Sequence, residues 1–122
     1  MATGSIRLKR VYETPSPEDG VRVLVERLWP RGLTKERAAV DHWLKDLAPS
    51  PELRRWFGHD PARWDEFRRR YAAELDGQPD AVARLAALAR GHRVTFVYAA
   101  RDDERNSARL LRDYLESKEA GE

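Results

Sequence analysis

The sequence contains no cysteine among its 122 residues, and this absence removes several classes of chemistry at once. Disulfide bonds, thiolate metal sites and a cysteine nucleophile are all excluded, and a reducing cytoplasm suits such a chain. The three histidines, at positions 42, 59 and 92, are scattered without the spacing of metal ligands. We therefore expect a cytoplasmic protein with no metal and no cofactor.

Long apolar runs are also missing. The N-terminus has no apolar stretch of signal-peptide length, and no later segment approaches the roughly 20 apolar residues that span a bilayer. Charge of one sign does not dominate, because 23 Lys and Arg face 21 Asp and Glu for a net charge of +2. That balance does not by itself argue for nucleic acid. We expect a soluble protein without a membrane partner, and no phosphate-loop signature or complete catalytic constellation identifies its reaction.

A chain of this length builds one hydrophobic core and is short of the size at which a second is expected. We predict a single domain over residues 1–122, with flexible ends at 1–4 and 117–122. The sequence does not indicate the oligomeric state.

Two segments predict buried strands. Residues 21–28 are apolar on both faces of an extended chain, and residues 94–98 repeat that character. A shorter strand near residues 6–12, broken or bulged around Lys9 and Arg10, could pair with the first in either direction.

Helix signals fill most of the remaining chain. In the surest case Asp60 caps a helix whose apolar residues recur at three- and four-residue spacing up to Leu75, before Gly77. The other predicted helices cover residues 35–40 after Thr34, a segment starting at Ser50 and Pro51, residues 81–90, and a last one capped by Asp102 or Asp103. Residues 41–47 fit helix and extended chain equally.

Helices that lie between strands favour parallel strands and right-handed crossovers. The predicted fold is a small single-domain α/β sandwich with a short, mostly parallel sheet flanked by helices. Ligands of such sheets collect beyond the carboxyl ends of the strands. The Trp-Pro-Arg-Gly loop at residues 29–32 and the loop at 99–102 should therefore open onto one crevice.

Several segments together carry a family resemblance. Residues 22–32, with their Leu-Trp-Pro-Arg-Gly core, resemble the YeaO-like branch of domain of unknown function 488, as do residues 41–54, 67–75 and 97–102 with Asn106. The resemblance implies a compact cytoplasmic α/β protein of uncharacterised biochemistry, without an established reaction. At position 26 the family pattern usually has Asp, so Glu26 places its carboxylate about one methylene further out, which weakens a general-base role.

The loop after the first buried strand is rich in positive charge. Thr34 can cap the helix that follows, so free backbone N–H groups should point toward the loop and form an anion pocket with nearby cations. The candidate ligand-binding residues are Arg27, Trp29, Arg31, Lys35, Tyr98, Arg101 and Asn106. The alternative is that these arginines are solvated or paired with neighbouring carboxylates.

Candidate catalytic residues are fewer. Glu26, Asp41 and Asp102 are the carboxylates expected near the crevice, and His59 is the histidine in a loop that could face it. A carboxylate close to His59 could perform acid–base work on a bound anion. In the alternative interpretation Asp41 and Asp102 are caps, Glu26 pairs with arginine, and His59 orders a turn.

Three functions remain open at this point. The first is binding of a small phosphorylated or nucleotide-like anion, with chemistry on it if the carboxylates and His59 act together. The second, which we do not favour, is a nucleic-acid module that contacts phosphates. The third is a protein-interaction domain without chemistry, so whether the protein is an enzyme stays undecided.

Overall fold

A computed structural model describes residues 6–120, which form an all-parallel four-stranded sheet and five helices. The strands are β1 (Arg7–Arg10), β2 (Val21–Leu24), β3 (His42–Trp43) and β4 (Val94–Tyr98). The helices are α1 (Lys35–Ala38), α2 (Pro51–Phe57), α3 (Trp64–Asp76), α4 (Pro79–Gly91) and α5 (Ser107–Ala120). Short 3-10 turns cover Pro17–Asp19, Lys45–Leu47 and Pro61–Arg63. The predicted single-domain α/β fold is confirmed.

The strand order is β1-β4-β2-β3, so the last strand of the chain lies in the middle of the sheet. β4 pairs with β1 on one side and with β2 on the other. The expectation that the first two strands pair directly was therefore wrong. The bulge predicted around Lys9 and Arg10 is also absent from the described chain, because residues 7–10 pair continuously with β4.

The two faces of the sheet carry apolar cores of different size, because alternate strand residues point in opposite directions. Val23 and Phe96 belong to the larger core, which the residues of α2 to α5 complete. Leu24 and Val97 belong to a small core with Val11 and Ala38. Trp29, Leu33, Val40, Trp43 and Ala99 pack against this small core. The sheet is thus covered on both faces, as its doubly apolar strands predicted.

β2 is shorter than the predicted strand over residues 21–28, since it ends at Leu24. The neighbouring strand β3 pairs with β2 through only two residues, the second of them opposite Leu24, so this ladder does not continue beyond Leu24. The segment 41–47, which fitted both states, divides into that two-residue strand and a 3-10 turn. Gly20 precedes β2 at φ 64°, and a Cβ there would lie 2.2 Å from the carbonyl oxygen of Arg93. This close approach admits only glycine.

The helices match their signals except at α5. Thr34, Ser50 and Asp60 accept backbone N–H groups as predicted, although Asp60 caps a 3-10 turn that leads into α3. The side chain of Asn106, rather than of Asp102 or Asp103, accepts the Arg109 N–H and caps α5. α5 continues to Ala120, beyond the fraying predicted from Ser117. The flexible start predicted for residues 1–4 lies outside the described chain.

Within residues 6–120, no helix combines the length and the apolar character needed to cross a membrane.

Candidate functional site

A cleft of ≈ 570 Å³ opens beyond the carboxyl ends of β2 and β4. Glu26 contributes from the segment after β2, and residues 99–102 and 105–107 contribute from the chain around the start of α5. Side chains of α2, of α3 and of the turn between them complete the lining. This is the position at which parallel sheets usually bind ligands, because the strand ends leave a crevice between the covering helices.

Glu26 joins the ends of the two central strands. Its Oε1 accepts the N–H of Ala99 at 3.1 Å, and its own carbonyl oxygen accepts the indole N–H of Trp43 at 2.7 Å. Burial raises the pKa of the Glu26 carboxyl, an effect that the Ala99 hydrogen bond and the positive charge of Arg54 partly offset. The carboxyl group is therefore held in place at the cleft, with its pKa above the ordinary glutamate value.

Asp102 and Asn106 organise the entry into α5. Asp102 Oδ1 accepts the N–H groups of Glu104 and Arg105 at 2.9 and 3.0 Å, and these bonds hold the pKa of the Asp102 carboxyl below its usual range. Asn106 uses both ends of its amide, since Oδ1 accepts from Arg109 and Nδ2 donates to the Asp102 carbonyl. Both residues line the cleft, but their side-chain polar atoms are hydrogen-bonded within the loop and the first turn of α5.

Three arginines bring positive charge to the lining. Arg105 lies 3.5 Å from Asp102 in an exposed ion pair. Arg101 is exposed, and among the described residues its guanidinium makes neither a hydrogen bond nor an ion pair. Arg54 is also exposed. Its positive charge lowers the pKa of Glu26, but within the described chain Arg54 makes no hydrogen bond or ion pair. Two cations at the cleft thus have no hydrogen-bond or ion-pair partner within the described chain.

Aromatic side chains form the opposite wall of the lining. Phe57 and Trp64 are half-buried, and both stack toward the buried ring of Phe67, with ring centroids 4.5 and 5.6 Å away. His59 is exposed beside Phe57 and has a φ of 58°, which is uncommon for a residue other than glycine. The cleft therefore combines an apolar planar surface with charged groups.

The cleft unites five residues that the sequence analysis singled out: Glu26, His59, Arg101, Asp102 and Asn106. Arg54 and Arg105 were missed. Arg54 and Phe57 stand three residues apart on α2, a spacing that places them on one helix face and could have indicated Arg54.

The other predicted site residues lie elsewhere. Arg27 donates to the carbonyl oxygens of Pro49 and Ala48, and Trp29 donates to the Leu33 carbonyl and packs edge-on against Trp43. The expectation of one shared crevice was wrong for this cleft: its described lining includes no residue of 29–32. The physical reason is that Trp29 and Leu33 pack on the small core, whereas the cleft borders the large one.

Four more predicted residues have roles or positions outside the cleft lining. Arg31 and Lys35 are exposed, and the Arg31 carbonyl accepts the Tyr12 hydroxyl. Asp41 accepts the N–H of Arg22 and so ties β3 to β2. Tyr98 is a core residue, 5% exposed, and burial raises its pKa together with the charges of Asp103 and Glu13. Ligand binding by Arg31, Lys35 and Tyr98 stays a prediction, as does the absence of a metal and a cofactor.

Comparison with known proteins places the chain among its relatives. A family model described as the inactive DUF488-N3 subclade matches residues 5–122. An uncharacterized protein of Mycobacterium tuberculosis is 46% identical over 110 residues, which cover 90% of this chain and 92% of that protein. The uncharacterized protein YeaO of Escherichia coli is 41% identical over 113 residues, which cover 93% of this chain and 98% of that protein. No solved structure matches. The chain therefore belongs to the DUF488-N3i family, as its resemblance to YeaO-like proteins predicted.

Proposed function

We propose that the protein binds a small ligand with an anionic, phosphate-like group in the cleft between Glu26, α2 and the start of α5, without catalysing a reaction on it. The observation that carries this proposal is the pair of arginines, Arg54 and Arg101, that line one cleft and make no hydrogen bond or ion pair within the described chain.

Charge and geometry both support an anion. Three arginines of the lining face two carboxylates, and Asp102 is already engaged by Arg105 and by two backbone N–H groups. A guanidinium presents its N–H groups as a planar fork that suits phosphate. The aromatic wall leaves room beside the anion for an apolar or planar part of the same molecule.

Binding is favoured over catalysis by two considerations. The subclade to which the chain belongs is described as inactive. In addition, the two carboxylates of the cleft have structural hydrogen bonds, Glu26 to Ala99 and Asp102 to the start of α5. Both carboxylates thus already hold backbone N–H groups in place, which does not favour a role in catalysis.

The experiment is a thermal-shift series with inorganic phosphate, ribose 5-phosphate, nucleoside monophosphates and a short single-stranded oligonucleotide. Wild type is compared with Arg101→Ala, and Arg55→Ala is the matched control because Arg55 is an exposed arginine of α2 outside the lining. A ligand that binds only the folded state raises the melting temperature, and the shift grows with the ratio of its concentration to its dissociation constant.

We expect at least one small phosphorylated compound to stabilise wild type and Arg55→Ala at about 150 mM salt. Arg101→Ala should weaken its apparent affinity by about tenfold or more, since a hydrogen bond to a charged group contributes about 1.5–3 kcal/mol. Equal losses in the two variants, or no shift with any small compound, would contradict the proposal. A shift confined to the oligonucleotide and lost as salt rises would assign the arginines to nucleic acid instead.

A further inference from the structure

Glu26 is unexpected in a site for anions, because a carboxylate repels a phosphate. Its half-buried side chain lines the same cleft as Arg54 and Arg101, yet it pairs with neither. Oε1 accepts the Ala99 N–H, whereas Oε2 has no hydrogen-bond partner in the described chain. In the described chain every fully buried side-chain oxygen has a hydrogen-bond partner, so the unpartnered Oε2 is not fully buried. The cleft thus offers an oriented acceptor in addition to its cations.

The aromatic side chains beside Glu26 indicate that the group bound there is planar. Phe57 and Trp64 line the cleft together with Glu26 and are only half-buried, so part of each ring is open to a ligand. Their contacts with Phe67 hold them in place. Stacking of a planar ring on such side chains strengthens the binding of bases in nucleic-acid complexes.

We infer that the ligand of this cleft is a guanine mononucleotide, whose base stacks on Phe57 and Trp64 and donates to Glu26 while its phosphate binds Arg101 and Arg54. This inference rests on the proposed function, because it specifies the molecule that carries the anionic group.

Guanine is favoured by the chemistry of the acceptor. Its N1–H and exocyclic N2–H groups point in one direction and can both donate to a single carboxylate, and hydrogen bonds to an ionised group are about twice as strong as neutral ones. Adenine places one donor beside a ring acceptor, and an ionised carboxylate would face that acceptor unfavourably. A sugar phosphate without a base leaves Glu26 and the aromatic wall unused.

The test measures dissociation constants by calorimetry for guanosine monophosphate, adenosine monophosphate and ribose 5-phosphate. Wild type is compared with Glu26→Gln, whose amide oxygen still accepts the Ala99 N–H but whose amide N–H₂ opposes the guanine donors. Glu52→Gln is the control, an exposed glutamate of α2 outside the lining. Thermal melts confirm that each variant is folded. Trp64→Leu is a second variant that removes the stacking surface and leaves Glu26 intact.

In wild type and Glu52→Gln we expect guanosine monophosphate to bind about tenfold more tightly than adenosine monophosphate. Both nucleotides should bind more tightly than ribose 5-phosphate, which has no base to stack. Glu26→Gln should abolish the preference for guanine over adenine, while ribose 5-phosphate binds at least as tightly as in wild type because the repelling charge is gone. Trp64→Leu should weaken both nucleotides without changing ribose 5-phosphate.

Three results would overturn the inference at different levels. Equal, Arg101-dependent binding of all three compounds would refute guanine recognition and leave the anion site standing. No binding of any small compound would refute both. Binding of a guanine-containing oligonucleotide but not of the mononucleotide would also refute the inference, because the partner would then be a nucleic acid.

Discussion

Asp19 and Arg22 form an ion pair in the interior, where each side chain is at most 3% exposed. Their charged atoms are 2.7 Å apart, and Lys9 approaches the same carboxylate at 3.1 Å. Arg22 also donates to the carbonyl oxygen of Ala38, so every charge in the group has a partner. Such a group is costly to bury but far costlier to break, because removing one member leaves the others buried and unpaired.

Asp19→Asn should lower the free energy of unfolding by about 3 kcal/mol or more at pH 7, as loss of one partner in a buried pair usually does. Urea denaturation measures this loss. Glu18→Gln, which changes the neighbouring exposed carboxylate, should stay within about 0.5 kcal/mol of wild type. A cost for Asp19→Asn no larger than that of Glu18→Gln would contradict the structural role of the pair.

The pH dependence of this difference follows from the pKa of Asp19. Burial alone would raise it, but hydrogen bonds from the Ser16 N–H, Lys9 and Arg22 outweigh burial and lower the pKa. The folded state therefore binds the proton less readily than the unfolded state, and the stabilisation is complete above the ordinary pKa of about 3.9. The difference between wild type and Asp19→Asn should be constant from neutral pH to about pH 5 and should shrink as the pH falls further.

Among the elements, Ser50 adds hydrogen bonds to the aromatic contacts between α2 and α3. Ser50 caps α2 through its Oγ, which accepts the Leu53 N–H at 3.1 Å. The same hydroxyl and the Ser50 N–H both donate to the carboxylate of Glu74 on α3. One hydroxyl thus both caps α2 and donates to α3, and both helices carry walls of the cleft.

Ser50→Ala should destabilise the protein by about 1–2 kcal/mol, in the upper range for loss of an N-cap, because Glu74 loses a donor at the same time. A double-mutant cycle with Glu74→Gln, read by urea denaturation, should give a coupling energy of at least about 0.5 kcal/mol. Thr34→Ala is the comparison, since Thr34 also caps a helix but its side chain has no hydrogen bond to a second one in the described chain. If Ser50→Ala costs no more than Thr34→Ala and shows no coupling with Glu74→Gln, Ser50 does not connect the two helices.

Elements were predictable where a repeated pattern spans several residues. Residues 94–98 were located without error, and the spacing of Phe67, Tyr71 and Leu75 identified α3. β3 could not be predicted, because two residues carry no periodicity and are a strand only through pairing with β2. The cap of α5 was assigned to Asp102 or Asp103, but Asp102 closes the turn before the helix, and Asn106 accepts the first helical N–H instead.

For the whole molecule, the sheet determines which predicted residues meet. The sequence indicated that ligands gather at the carboxyl ends of the strands, and the cleft does lie there. The sequence did not indicate against which face of the sheet the basic loop packs. That choice depends on where Trp29 and Leu33 find apolar partners, and they pack with Trp43 and Ala99 on the small core. Arg31 and Lys35 are therefore not part of the cleft lining, whereas Arg54 and Arg101 line the cleft together with Glu26.

The measurement that most directly tests this account is an NMR titration of the ¹⁵N-labelled protein with ribose 5-phosphate, after assignment of the backbone amides. Two segments compete as the anion site: residues 99–107 with Arg54 at the cleft, and residues 29–37 in the basic loop. We predict that shift changes concentrate at residues 99–107 and around Arg54 and that Arg101→Ala suppresses them. Changes that concentrate at residues 29–37 and persist in Arg101→Ala would contradict the account and restore the basic loop as the site.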